Sequence, residues 1–137
     1  MTDTGPLVAL IDADEPDHAR CREALKQLEP PMVTTWPVLT EAMYLLGDAA
    51  GWSAQRALWQ MIEGNALEVL ELQPVDVSRV RALMEKYWDT PMGITDATLV
   101  ALAETRGLKR VFTLNTDFRV YRYRGREPFD IIPASRR

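Results

Sequence analysis

Apolar residues are distributed along this chain in two rhythms. Short runs rich in apolar and β-branched residues occupy residues 32–35, 66–72, 110–114 and 129–133, with a brief segment ahead of Gly5, and such runs bounded by turn residues read as strands. Between them the apolar positions recur near helical spacing. Ala19, Cys21, Ala24, Leu25 and Leu28 do so within residues 18–29, and Val38, Leu39, Ala42, Met43, Leu45 and Leu46 form one broad arc within 38–46. Residues 52–63 and 78–88 continue the pattern, while 94–104 is apolar nearly all round, as a helix buried within a domain would be. Gly5-Pro6 makes a turn that opens the next helix. Short apolar strands alternating with helices predict an α/β domain, a parallel sheet flanked by helices on both faces. There is no internal repeat or low-complexity segment, and Pro30-Pro31 is too short to be a linker. Residues 1–137 therefore read as one domain.

Composition agrees and removes several chemistries. With 47% hydrophobic and 26% charged residues the chain is of the soluble globular type. Its longest stretch without a charge, residues 30–40, is far short of a bilayer span. No basic region precedes an apolar run at the start, so no secretory signal is expected and the expected location is cytoplasmic. One cysteine, Cys21, and one histidine, His18, leave no internal disulfide and no structural zinc site, and they make a Ser-His-Asp triad improbable. The glycines form no phosphate-binding loop. The acidic run Asp12, Asp14, Glu15 and Asp17 imitates a calcium loop, but Asp17 stands where glycine is needed and Pro16 replaces a ligand. The four tryptophans are scattered among helical patterns, which suits core or partner-facing positions better than a base-stacking platform.

Carboxylates remain as the candidates for chemistry. In a parallel α/β sheet, ligands sit beyond the carboxyl ends of the strands, and four positions meet that test. Asp3 follows the first short segment. Glu41 lies one turn into the helix after residues 32–35, at the edge of its apolar arc. Asp96 is in the first turn of the 94–104 helix, with Thr95 as the expected N-cap. After the 110–114 strand, Asn115 and Asp117 compete for one corner. Singly, each acid fits a capping or solvent-facing role. Together they suit a hard cation, Mg²⁺ or Mn²⁺, which takes a few carboxylates and keeps waters that a substrate phosphate can displace. Charge along the chain is uneven. Residues 1–105 hold 17 acids and 7 Lys/Arg, whereas 106–137 hold 3 acids and 9 Lys/Arg, so an acidic body carries a basic tail that can meet phosphate despite a net charge of −4.

On these residues the sequence resembles the PIN-domain ribonucleases, the VapC-type toxins of toxin–antitoxin pairs in particular. The resemblance rests on residues 3–10 (Asp-Thr-Gly-Pro-Leu-Val-Ala-Leu), 38–41 (Val-Leu-Thr-Glu), 94–97 (Ile-Thr-Asp-Ala) and 113–118 (Thr-Leu-Asn-Thr-Asp-Phe), in that order across the whole chain. It implies a parallel sheet of about five strands, a cluster of acids binding Mg²⁺ or Mn²⁺, endonucleolytic cleavage of RNA, an antitoxin partner and a homodimer. Carried over residue by residue, it makes Asp3, Asp96 and Glu41 the acids, with Asp3 and Asp96 as principal metal ligands and Glu41 as a ligand or an orienter of one. Thr4 and Thr113 support them by hydrogen bonds. The family's fourth acid is Asn115 here, a departure that weakens a second metal site, and Asp117 two residues on is placed to compensate. The segment before Asp3 is very short and leaves little first strand. The implied reaction is in-line attack of a metal-activated water on a phosphodiester, with Arg119, Arg122, Arg124 and Arg126, interleaved with Tyr121 and Tyr123, gripping phosphates. A PIN-like module that binds RNA or a partner protein without cutting is the alternative, and the survival of three of the four acids favours the enzyme.

Overall fold

The computed structural model describes residues 1–134 of the chain. Its helices are α1 (Thr4–Ile11), α2 (His18–Leu25), α3 (Trp36–Ala50), α4 (Trp52–Glu63), α5 (Pro74–Lys86) and α6 (Ile94–Arg106). Its strands are β1 (Met32–Thr35), β2 (Leu67–Leu70), β3 (Arg110–Phe112), β4 (Arg122–Tyr123), β5 (Glu127–Pro128) and β6 (Asp130–Ile132), with a 3-10 turn at Thr116–Arg119. Among these residues no helix is long and apolar enough to cross a membrane.

The expected single sheet of about five strands is not formed as one continuous ladder. β1 pairs with β2 and β3 pairs with β6, both in parallel. Residues 1–3 run between the two pairs and join them by a parallel bridge between Thr2 and Phe112. Thr2 N–H donates to the Val33 carbonyl (2.7 Å) on one side, and Asp3 N–H donates to the Phe112 carbonyl (2.9 Å) on the other. Asp3 then turns into α1, so the segment is too short to form a full strand. The Thr34 hydroxyl adds a buried bond to the Thr2 carbonyl (2.7 Å).

The short strands fall within the expected runs, trimmed where side chains begin to serve turns and caps. α3 starts two residues earlier than its apolar arc, because Pro37 fits the first helical turn, where the missing N–H costs no hydrogen bond. α5 likewise opens at Pro74, with Gln73 and Asp76 forming a reciprocal capping box. α6 is capped by Gly93 rather than Thr95, and Ala97 through Ala103 are all buried, as its all-round apolar pattern requires. Gly107, at φ 68°, ends it in the left-handed conformation, and Leu108 N–H returns to the Ala103 carbonyl. The sequence reading missed the β4–β5 antiparallel hairpin. Arg124 (φ 51°) and Gly125 (φ 75°) both take positive φ at its turn, and the turn lacks an Asn-Gly or Asp-Gly signal.

α6 anchors at both ends. Near its C-terminus Glu104 takes two bonds from the Arg79 guanidinium (2.8 and 3.2 Å) and one from Arg124 N–H (2.6 Å), tying α5 and the hairpin to it. Near its N-terminus the Thr35 and Thr98 hydroxyls are 2.8 Å apart and fully buried. Thr98 gives its own proton to the Thr95 carbonyl, so Thr35 is the donor. That contact fixes the start of α6 against the end of β1. The four tryptophans are not core residues: Trp52 is 63% and Trp88 78% exposed, and Trp36 and Trp59 are exposed as well.

Candidate active site

Because residues 1–3 lie between β1 and β3, the chain exits of all three segments stand side by side. Asp3 ends the first, Glu41 lies on the helix that follows β1, and Asn115 follows β3. Asp96 arrives from α6. The four residues line one cleft of about 320 Å³, together with Thr4, Gly5, Glu15 and Leu114. Gly5 permits this closeness, since a Cβ there would stand 3.3 Å from the Leu114 side chain. A larger cleft of about 490 Å³ is lined by apolar residues with Arg22 as its one charged group, and it offers no acid chemistry.

Asp3 is buried and is the N-cap of α1. Its Oδ1 accepts from Thr4 N–H (2.8 Å) and its Oδ2 from the Thr113 hydroxyl (2.8 Å). Thr113 in turn accepts from Asn115 N–H (2.9 Å), which orients its proton toward Asp3. The expected support from Thr4 therefore comes from its backbone. Among the described residues the Thr4 hydroxyl itself is buried without a hydrogen-bond partner. Burial raises the Asp3 carboxyl above the ordinary carboxylate range, against the bonds from Thr113 and Thr4, and the Glu41 charge adds to the rise.

Asp96 accepts from Asn115 Nδ2 (3.0 Å) and from the Tyr121 hydroxyl (3.1 Å), both at Oδ2. Among the described residues this leaves Oδ1 without a side-chain donor. The carboxyl is pushed up to about 7, first by burial and then by the charge of Asp3, with smaller contributions from Asp117 and Glu41. Tyr121 is fully buried and edge-on to Tyr87 and Phe118, with ring centroids 5.1 Å away in each case. Its hydroxyl is thus a fixed donor, a role that its place in a basic, tyrosine-rich stretch had not suggested. Glu41 is exposed at the rim. Glu15, dismissed with the false calcium loop, also lines the cleft. Its signal was positional, since it follows α1, the helix that Asp3 caps.

Asn115 and Asp117 do different things. Asn115 Oδ1 accepts from Asp117 N–H (3.0 Å), capping the 3-10 turn while its Nδ2 holds Asp96. Asp117 is not among the residues lining the cleft and acts on Asp96 through its charge. Of the arginines, Arg119 lines a neighbouring cleft beside Asn115. Arg122 spends its guanidinium on the carbonyls of Arg119 (2.7 Å) and Tyr121 (3.2 Å). Arg124 is carried by the hairpin to the far end of α6, where it bonds the Glu104 carbonyl and lies over the Tyr123 ring. Arg126 is exposed in the same hairpin. His18 bonds the Ala9 carbonyl (2.6 Å), and Cys21 is a buried thiol pushed up to about 11 by burial.

Among the described residues no three carboxylates or other metal-binding side chains close tightly around one point. The donors present still fit a hard divalent cation. Such ions are held by one or two carboxylates and keep several waters, and here an all-oxygen cleft contains two carboxyls held in fixed orientations. Their pKa values are raised first by burial and further by neighbouring negative charge, which a bound cation would offset. An unpartnered buried hydroxyl, that of Thr4, stands beside them.

Comparison with known proteins points the same way. The PIN domain family model matches residues 1–122. Ribonuclease VapC26 of Mycobacterium tuberculosis is 31% identical over 134 residues, covering 97% of this chain and 99% of that protein. The crystal structure of Mycobacterium tuberculosis VapC20, a Sarcin-Ricin loop cleaving toxin, superposes with a TM-score of 0.78 at 19% identity over 85% of this chain and 89% of that one. A toxin–antitoxin complex from Klebsiella pneumoniae gives a TM-score of 0.66 at 18% identity, over 84% of this chain and 85% of that one. With its acids gathered in one cleft on a matching fold, and with a full-length relative above 30% identity, this chain belongs to the PIN-domain family, among its VapC-type ribonucleases.

Proposed function

We propose that the protein is an endoribonuclease dependent on Mg²⁺ or Mn²⁺ and acts as the toxin of a toxin–antitoxin pair in the cytoplasm. The observation that carries the reading is the convergence of Asp3, Glu41 and Asp96 on one cleft from three separate parts of the sequence. Asp3 and Asp96 would hold the cation, with Glu41 at the rim as a third ligand or as an acceptor for a water. When bound, Mg²⁺ or Mn²⁺ supplies Lewis-acid charge for the phosphate and a water of lowered pKa. The chain's own part is positional. Thr113 and Thr4 N–H fix Asp3, while Asn115 and Tyr121 fix Asp96 through one oxygen and leave the other for the cleft. We place a homodimer contact and an antitoxin contact on α4, which exposes Trp52 and Trp59, and on the turn after α5, which exposes Trp88.

Purified protein should cut RNA with Mg²⁺ or Mn²⁺ and stop in excess chelator. Asp3→Asn and Asp96→Asn should each abolish cutting while Tm stays similar or rises, because a repelling charge is removed from the metal-free cleft. Undiminished cutting in chelator would sink the metal reading. A large loss of stability in both variants, with activity retained per folded molecule, would return the acids to capping roles.

A further inference from the structure

The acidic cleft extends beyond its metal-holding end. α1 and α3 both begin at strand exits and form its two walls. Thr4 and, one turn on, Val8 come from α1; Glu41 and, one turn on, Leu45 come from α3. Glu15 lies on the turn beyond α1 and lines the same cleft. The eight residues of α1 span ~12 Å at the helical rise, so the Glu15 backbone stands roughly one helix length from Asp3. In keeping with that separation, the carboxyls of Asp3 and Asp96 are raised by the charge of Glu41 and not by that of Glu15. The backbone of Glu15 is tied down: its N–H donates to the Asp12 carbonyl (3.1 Å), and its carbonyl accepts from His18 N–H (3.1 Å). Its side chain is half-buried, and among the described residues its carboxylate has no hydrogen bond or ion pair. A second unengaged group lines the cleft between the two ends, the hydroxyl of the buried Thr4.

We propose that this arm of the cleft holds the nucleoside joined to the scissile phosphate, and that Glu15 selects guanine there. The inference rests on the ribonuclease reading and deepens it by naming the base. With the phosphate against a cation between Asp3 and Asp96, the ribose comes to the Thr4 hydroxyl, which can both donate and accept and so suits a 2′-hydroxyl. The base then lies against Val8 and Leu45, apolar surface on which a flat ring packs, and its Watson–Crick edge meets Glu15. A carboxylate only accepts hydrogen bonds, through two oxygens side by side. Guanine alone among the four bases offers two neighbouring donors on that edge, N1–H and the 2-amino group. Adenine and cytosine set an acceptor nitrogen beside their amino group, and uracil sets a carbonyl on each side of its N–H. Each of these turns a lone pair toward the carboxylate, and an unpaired polar group in a hydrogen-bonding site is what makes such a site selective. Because Glu15 stands at the far end from the metal pair, its charge does not confront the substrate phosphate.

The test is calorimetric binding of the four ribonucleoside 3′,5′-bisphosphates in Mn²⁺. These carry a phosphate on either side of the sugar and no phosphodiester to cut, so the readout is independent of turnover. The guanosine form should bind about 10-fold more tightly than the other three, the scale of one bidentate pairing between a side chain and a base. Glu15→Gln should abolish that preference and leave Tm and Mn²⁺ affinity at wild-type levels. Thr4→Val should raise Kd for the guanosine form about 3-fold and leave Kd for its 2′-deoxy counterpart unchanged; its metal-free Tm should not fall, because the hydroxyl removed has no partner to lose. Equal affinity of the wild type for all four bases, binding of none of them, or a guanosine preference that survives Glu15→Gln would overturn the proposal. Loss of Mn²⁺ affinity in Glu15→Gln would also overturn it and make Glu15 a metal ligand. RNA cutting keeps the two readings apart. RNA cut in Mn²⁺ by a protein with no base preference removes the guanine subsite and leaves the ribonuclease. A guanosine preference that depends on Glu15, in a protein that never cuts RNA, removes the ribonuclease and leaves the subsite.

Discussion

At position 115 an amide stands where the family resemblance expects an acid, and its contacts show why the exchange is tolerated. Its Oδ1 accepts from Asp117 N–H as a carboxylate would, and its Nδ2 donates to Asp96, which a carboxylate cannot do. Asn115→Asp should therefore keep the cap and lose the donor. It would place a second negative charge beside a carboxyl already raised by burial and by Asp3. We expect the metal-free variant to be less stable by about 1 kcal/mol and to bind Mg²⁺ or Mn²⁺ more tightly, by calorimetric titration. Asp117 is outside the cleft and offers its backbone N–H to Asn115, so Asp117→Ala should leave turnover within about twofold. An Asp117→Ala variant as inactive as Asp96→Asn would instead give Asp117 the fourth acidic role.

Among the elements, α6 divides its labour by its ends. The N-terminal turn presents Asp96, and the C-terminal turn presents Glu104 to α5 and to the β4–β5 hairpin. Glu104 is largely buried and Arg79 half-exposed, with side-chain exposures of 10% and 39%. Removing the carboxylate leaves Arg79 and the Arg124 N–H without it. Glu104→Ala should cost about 1–3 kcal/mol, in the range for hydrogen bonds to a charged group, as read by urea denaturation. Because Glu104 lies more than two helical turns from Asp96, Mg²⁺ affinity of the folded fraction should stay at the wild-type level. A variant that loses metal affinity as steeply as stability would mean that the hairpin, through Tyr121, governs the orientation of Asp96.

Across the whole molecule the acidic cleft sets a pH dependence. Asp3 and Asp96 both titrate above their unfolded values, Asp96 at about 7. At these two carboxyls the folded state binds more protons than the unfolded chain between about pH 4 and 7, and their contribution to stability falls as pH rises through that window, opposed above about pH 6 by the Met1 ammonium, whose pKa burial lowers to about 6. In chelator, Tm should drop from pH 5 to pH 8, and saturating Mg²⁺ or Mn²⁺ should restore it at pH 8 by binding the ionised pair. Asp96→Asn should show a smaller drop; an equal drop would place the titration elsewhere. The exposed tryptophans bear on assembly. Trp52 and Trp59 share a face of α4 with Arg56 between them, and sizing at micromolar concentration should give a dimer that Trp52→Ala weakens. A monomer at all concentrations would remove the homodimer.

Local pattern alone sufficed for most elements. The apolar runs marked β1, β2, β3 and β6, helical spacing marked the helices, and the all-round apolar 94–104 segment foretold the burial of α6, because hydrophobic periodicity is a property of neighbours in sequence. Asp3, Glu41 and Asp96 stood out for a related reason, since strand exits and helix starts can be read from order alone. Tertiary structure decided what depends on approach between distant segments. Residues 1–3 are too few to show strand periodicity, and their hydrogen bonds to Val33 and Phe112 form only once β1 and β3 stand on either side. Tyr121 becomes a donor to Asp96 because Tyr87 and Phe118 fix its ring, and Arg124 leaves the cleft because an unsignalled hairpin carries it to Glu104. That Arg20 and Arg119 line one cleft belongs to the same class, since two side chains separated by most of the chain share no local pattern that could have joined them.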